Sequence, residues 1–350
     1  MSRVEEIIGI TEKELIKLSQ EDRQKLIRKK EYKNGQPNLY FVNLENNKQI
    51  KIGNFTTFSI NELLSFMNGE LEILLNSPKN KNPLRITILT SVDIGQLQAT
   101  MKTQDRCMVQ IASNFNCLEV PTQYSNPQSG NFVENYSRDR TQGPAASFGP
   151  LSASIYRAHF CMPNYMPQTL NTEINLLEEL SSCFNVVNGK LLINSIQLKI
   201  IDDLIDFDAL QFRDFYKNVK IGLHTECPVL YDRTGKLKIP EEVDQVLVST
   251  INYNNYKTSD YPIIDNISEM LLQAAYEGTY LAAQLRKTKN LYLTLIGGGA
   301  FSNHIDYIIK AIQNAHNKYA SRCVDLENVY LCLYDSENSY LFKQIQAELF

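Results

Sequence analysis

The chain has 350 residues, 43% of them apolar and 21% charged, and 35 lysines and arginines against 39 acids give a formal charge of -4. This is the composition of an ordinary globular protein that folds around one large core or two modest ones without staples. It lacks the basic block that an extended nucleic-acid partner requires, and no apolar run reaches the ~18 residues of a membrane span.

The first twenty residues scatter acids and lysines among apolar positions, unlike the unbroken stretch of a signal peptide. Ile7, Ile10, Leu15, Leu18 and Leu26 recur at roughly helical spacing, which predicts one or two amphipathic helices. Apolar-rich runs from Leu39 and from Gln49 flank Glu45-Asn-Asn-Lys48, a hairpin pattern. Ser59-Ile-Asn-Glu62 has the form of a capping box opening a helix through Met67. Residues 1–75 therefore read as an N-terminal α+β extension, placed to select a partner.

From Arg85 onward, short β-branched runs alternate with helical patterns, as in an α/β domain with a mainly parallel sheet. Strands are predicted at 85–89, 107–112, 219–223, 245–251, 291–296 and 329–333. Helices are predicted at 145–160, 176–184, 202–216, 267–285, 305–319 and 339–349. Residues 162–217 hold more helical pattern than one crossover needs and read as a helical insertion. A Pro/Ser/Asn/Gly-rich stretch, residues 121–140, is a long loop of the functional or disordered kind.

The seven cysteines are scattered, with no Cys-x-x-Cys pair and no histidine at metal-clip spacing. They read as reduced thiols in a cytoplasmic setting, and neither a metal nor a cofactor is expected. His304 and His316 fit solvated helix positions, and His159 and His224 have no metal spacing.

Three segments carry chemistry. The first is the apolar run from Leu291 that meets Gly297, Gly298 and Gly299, then Ala300, Phe301 and Asn303, before an amphipathic helix. Glycines let the main chain approach a ligand, and the N–H groups opening a helix favour an anion, so the segment has the makings of a phosphate cradle. It is neither a Walker loop nor a dinucleotide fingerprint, and three glycines also serve as a plain tight turn. The second segment runs from Arg138 through Asp139, Thr141, Gln142 and Gly143, where small residues and amides suit phosphate or ribose oxygens; the bland alternative is a solvated surface loop. The third is Ser113-Asn114-Phe-Asn116-Cys117-Leu-Glu119, just past a strand end, where open α/β sheets place ligands. Its asparagines suit ribose hydroxyls or a simple turn, Glu119 is a possible base, and Cys117 is more naturally a buried apolar group than a nucleophile.

Strand, asparagine turn, small-residue loop into a helix, then strand, Gly-Gly-Gly-Ala-Phe and helix: this order resembles the macrodomains that bind or hydrolyse ADP-ribose. The phrases around Ser113 and Asp139 are most similar to the MavL-type ADP-ribosyl hydrolase branch, which acts on arginine-linked ADP-ribosyl-ubiquitin. The resemblance covers residues from Arg85 to the C-terminus and implies a three-layer α/β/α macrodomain-like sandwich over residues 76–350. It assigns adenine to Asp93, ribose to Asn114 and Asn116, and the diphosphate to the Gly297–Gly299 and Gly143 loops, with Ile94 and Asn252, the latter at a strand tip, as further ligand-binding candidates. The Gln-Glu-Glu signature of poly(ADP-ribose) glycohydrolases is absent, so their catalytic glutamates have no counterpart here.

Cleaving the bond at the distal ribose needs a carboxylic acid or carboxylate near the anomeric carbon. The candidates are Asp260, Asp265, Glu119 and Asp139, with an N-cap role as the alternative for Asp265. The expected function is an ADP-ribosyl hydrolase acting on ADP-ribosylated protein in the cytoplasm, or in a host cytosol if the chain is an effector. A reader of ADP-ribose without catalysis, or a scaffold on the same fold, are the alternatives.

Overall fold

The computed structural model describes residues 2–30, 37–74, 84–120, 125–139, 141–207, 214–237, 239–256 and 263–349. Three short helices open the chain: α1 (Arg3–Ile8), α2 (Glu12–Leu15) and α3 (Gln20–Lys25). Helices this short do not hold in isolation. Ser2, Thr11 and Ser19 each accept an N–H from the first turn, and Gly9 closes α1 at φ 78°. The one or two helices expected here are three because each serine or threonine starts a new one. β1 (Ile27–Lys30), β2 (Asn38–Val42) and β3 (Gln49–Lys51) follow as an antiparallel sheet.

The remaining elements are β4 (Asn54–Ser59), α4 (Ile60–Leu74), β5 (Ile86–Leu89), α5 (Ile94–Gln98), β6 (Cys107–Ala112), α6 (Gln142–Phe148) and α7 (Leu151–His159). After them come the hairpin β7 (Asn185–Val187) and β8 (Lys190–Leu192), α8 (Ser195–Phe207), β9 (Lys220–Pro228) and β10 (Glu242–Val248). The chain closes with α9 (Ile263–Leu285), β11 (Asn290–Thr294), α10 (Ile305–Tyr319), β12 (Asn328–Cys332) and α11 (Tyr340–Leu349).

The central sheet has the order β4-β9-β10-β6-β11-β12-β5. From β10 to β5 all neighbours run parallel, while β9 and β4 run antiparallel along one edge. Side-chain alternation sorts the helices onto two faces. Gln110 of β6 reaches Thr279 of α9, whereas Gln245, level with the neighbouring residue Val109, reaches Ala146 of α6. One face thus carries α5, α6 and α7, and the other α4, α9, α10 and α11, giving a three-layer α/β/α sandwich with a mainly parallel sheet.

Three expectations change. The extension does not end at residue 75 as a separate unit, because β4 pairs with β9 inside the main sheet and α4 packs on α9. The Ser59–Glu62 capping box is present, with reciprocal bonds of 2.7 and 3.2 Å. The single helix predicted at 145–160 is two, starting earlier and broken at Gly149-Pro150, because Pro150 has no N–H to continue the helix and its backbone, φ -84° and ψ 61°, leaves the helical region. The insertion holds the β7–β8 hairpin as well as helix: residues 176–184 form only a 3-10 turn, Glu178–Leu180, and the helix expected at 202–216 begins at Ser195.

The N-terminal module adds a further layer. Val4, Ile7, Ile8, Leu15 and Phe41 join Leu151, Ile155, Ala158 and Phe160 in one apolar cluster over the outer side of α7. Apart from Tyr156, every residue of α7 is buried, including Ser152, Ser154, Arg157 and His159.

Candidate functional site

The loops leaving β10, β6, β11, β12 and β5 emerge side by side at one edge of the sheet. The chain turns to α6 after β6, but to α9 and α10 on the other face after β10 and β11. Strands whose connections diverge in this way leave a crevice between them, where α/β proteins bind ligands. Crevices flank β6 on both sides.

Beside β6 stands the glycine loop. Gly297 has φ 73°, and a Cβ there would overlap Thr250 and Asn303, so only glycine fits. Gly299 is different: a Cβ on it would meet nothing within 4 Å. Gly298, Gly299 and Ala300 are exposed, and the N–H groups of Gly299, Ala300 and Phe301 have no partner among the described residues. Asn303 fixes the loop from below, donating to the Ile251 carbonyl at 2.8 Å and accepting from Ser268 at 2.7 Å and Thr250 at 3.2 Å. The loop is also tied to the β10 side, since Tyr253 N–H donates to the Phe301 carbonyl at 2.8 Å and Asn254 Nδ2 to the Ala300 carbonyl at 2.8 Å.

On β6 itself, the turn after Ala112 carries Glu119 beneath the start of α6. A Cβ at Gly143 would overlap the Glu119 carboxyl, so the missing side chain is what admits it. Burial, and next the nearby Asp139 charge, hold the Glu119 carboxyl well above the usual carboxylate range, against an opposing pull from Arg157. Asp139 stands just before α6 and accepts both the N–H and the hydroxyl of Thr141, at 2.8 and 2.7 Å. Gln142 bridges to the β5 loop, accepting from Ile94 N–H and donating to the Val92 carbonyl, both at 3.3 Å. The site therefore joins a carboxyl group of raised proton affinity, a second carboxyl beside it and an open loop of amides without a partner among the described residues.

Several residues read as ligands from the sequence have hydrogen-bond partners within the fold. Asn116 donates to Glu173 at 2.9 Å, accepts from Leu118 N–H and lies under Gly189, away from the crevice. Asn114 donates to the Leu118 carbonyl at 3.2 Å and shapes its own turn. Asn303 is the loop brace described above. Asp93 caps α5 with one oxygen and takes Arg233 Nε with the other, at 3.0 and 2.9 Å. Asn252 accepts from Asn254 N–H at 3.1 Å. Asp265, in the first turn of α9, accepts the Tyr253 hydroxyl. Asp260 lies outside the described residues. Cys117 is fully buried, which pushes its thiol up to about 12 and leaves it inert.

Four residues that escaped the sequence reading shape the site. Tyr136 accepts from Glu119 N–H and donates to the Glu119 carbonyl, at 3.1 and 2.9 Å. Arg157 lies buried behind the turn and donates to the Cys117 carbonyl at 3.2 Å. Arg233 holds Asp93. Tyr334, 65% exposed just past β12, stands between the glycine loop and the Asp93 loop. Of the four, Arg157 alone lies in an element that the sequence predicted, the helix expected at 145–160. At the opposite edge of the sheet a cavity of about 810 Å³ is lined by Arg106, Asp325, Lys289 and Glu327, which pair with one another as two ion pairs. No group of three or more metal-ligating side chains occurs among the described residues, nor is any helix there long and apolar enough to cross a membrane.

No family model matches the chain, and no curated protein matches it in sequence. Solved structures do. The poly(ADP-ribose) glycohydrolase from Thermomonospora curvata is 12% identical with a TM-score of 0.46, over 97% of this chain and 99% of that one. The poly(ADP-ribose) glycohydrolase from Deinococcus radiodurans in complex with ADP-ribose is 10% identical with a TM-score of 0.43, over 84% and 92%. Its apo form gives 10% and 0.41 over 84% and 93%. These proteins have a macrodomain-like fold but form a family distinct from the MavL-type branch, so the assignment to that branch is corrected. At this identity, and with TM-scores below 0.5, the likeness fixes neither substrate nor residue roles in this chain.

Proposed function

We propose that the chain is an ADP-ribosyl hydrolase whose diphosphate rests on the Gly298 to Phe301 amides and whose reacting group is the Glu119 carboxyl. The observation that carries the reading is the carboxyl pair at the central strand: the Glu119 carboxyl fills the space that Gly143 leaves open, the nearby Asp139 charge raises its proton affinity, and it sits one strand from a loop whose amides have no partner among the described residues. Hydrolysis of a glycosidic bond asks for this pairing of acid and base. Glu119 gives its proton to the leaving atom as the bond to the anomeric carbon breaks, and Asp139 takes a proton from the water that forms the new carbon–oxygen bond. Tyr334 offers a face on which adenine can stack. The substrate class is ADP-ribosylated protein; arginine-linked ubiquitin entered only with the branch now corrected, and no residue here supports it.

Calorimetric titration with ADP-ribose tests the reading. An added side chain at Gly299 meets ligand and not protein, so Gly299→Glu should fold normally and bind at least about tenfold more weakly, a loss of ~1.4 kcal/mol. Glu119→Gln should bind ADP-ribose and release none from modified protein. Wild-type turnover should fall as pH rises and Glu119 ionises. Binding without any turnover by the wild type would make the chain a reader, and a folded wild type that does not bind would overturn the nucleotide reading.

A further inference from the structure

The carboxyl pair is held from outside by the N-terminal module. Glu12 on α2 is buried, 2% exposed, although a lone buried carboxylate is strongly disfavoured. It accepts Val133 N–H at 3.0 Å, Glu134 N–H at 3.2 Å and His159 Nε2 at 2.8 Å. The two N–H groups open the 3-10 turn Glu134–Arg138, which therefore has its N-terminal donors capped by a residue more than a hundred positions away. Val4 N–H adds a bond to the Glu134 carboxylate at 2.6 Å, and Gly130, just ahead of the turn, sits against Lys13. On its other side the turn carries Tyr136, whose hydroxyl bonds both main-chain groups of Glu119, and it ends at Asp139.

We propose that Glu12 is a positioning residue for this site: it anchors the Glu134–Arg138 turn, and through Tyr136 and Asp139 that turn fixes where the Glu119 carboxyl stands. The inference rests on the reading of Glu119 as the reacting group. It also replaces the view of the N-terminal segment as an extension placed to select a partner with one in which the segment completes the catalytic layer. Among the described residues, the titratable and charged groups facing the Glu119 carboxyl are Asp139 and Tyr136 from the turn side and Arg157 from α7. Loosening the turn moves the first two and admits water, so the proton affinity of Glu119 falls toward the ordinary range.

The test compares wild type, Glu12→Gln and Tyr136→Phe by carbon-13 NMR titration of the Glu119 carboxyl, assigned with Glu119→Gln, alongside thermal unfolding. Glu12→Gln turns one acceptor into a donor facing an N–H group, and Tyr136→Phe keeps the buried ring but deletes the hydroxyl. Both variants should lower the Glu119 midpoint, shift the alkaline limb of the pH–rate profile to lower pH, and reduce kcat more than they change KM. A folded variant with an unchanged midpoint would overturn the proposal, since mere loss of stability does not move a proton affinity. Should Glu12→Gln fail to fold, Tyr136→Phe decides alone. A wild type without turnover, but with midpoints that fall in the variants, would sink the hydrolase reading and leave the positioning role standing.

Discussion

Arg157 shows how a single buried residue sets the chemistry around it. Its guanidinium donates to the Cys117 carbonyl, His224 Nδ1 at 3.0 Å, Gln245 at 3.4 Å and Ser154 at 3.1 Å, with no carboxylate in ion-pair range among the described residues. The bond to Nδ1 requires a neutral ring, and Nε2–H of His224 donates to the Ile52 carbonyl at 3.1 Å. Burial, and next the Arg157 charge, hold His224 well below its usual range. The unfolded chain therefore takes up a proton near pH 6.5 that the folded one refuses, and stability is lost as pH falls below that value, by at most about 1.4 kcal/mol per pH unit. Tm measured from pH 7 to pH 5 should drop in the wild type and flatten in His224→Gln, whose amide can both accept from Arg157 and donate to Ile52; parallel curves would refute the assignment. None of this was legible in the sequence, where His224 is one histidine without a spaced partner. Hydrogen-bond partners such as Glu12 and His159 lie 147 residues apart, and only the fold brings them together.

At the scale of elements the sequence was far more legible. β6 and α10 occupy the predicted residues because each is bounded by a polar or glycine break, and the strand–glycine–helix order around Gly297 holds. β10 was placed too late: Val246 to Ile251 is one apolar-rich run, but pairing with β6 stops at Val248 and the rest turns toward the site. β4 went unread because six residues with two phenylalanines carry too little periodicity. The packing of α9 on β9 supplies a test. Gly278 is a glycine deep in a 23-residue helix, where replacement by alanine ordinarily gains ~1 kcal/mol. Here the new Cβ would stand 2.7 Å from Ile221 Cγ2 and 2.8 Å from Ile60 Cδ1. Overpacking of that kind costs ~1–3 kcal/mol, so Gly278→Ala should lower Tm, and a rise would show that α9 shifts freely on the sheet.

For the molecule as a whole, the N-terminal segment is structural. A chain beginning at residue 76 would lack β4 and α4 and would bare Phe148, Leu151, Ile155 and Phe160, all at most 8% exposed in the intact fold. Exposing four such side chains forfeits roughly 6–12 kcal/mol, comparable with the whole stability of a typical domain. The truncated chain should show neither cooperative melting nor near-ultraviolet dichroism from its tyrosines; a cooperative melt would mean that the sandwich stands alone.

The pairing of β4 with β9 also carries a timing consequence. Ile52 and His224, bonded across that edge, are 172 residues apart. At a synthesis rate of ~5–20 residues per second, the first strand of the sheet leaves the ribosome roughly 10–35 s before its partner exists. During that interval Phe55 and Phe58 lack the strand that faces them in the finished sheet, and the edge that β9 later covers stays open to water or to another chain.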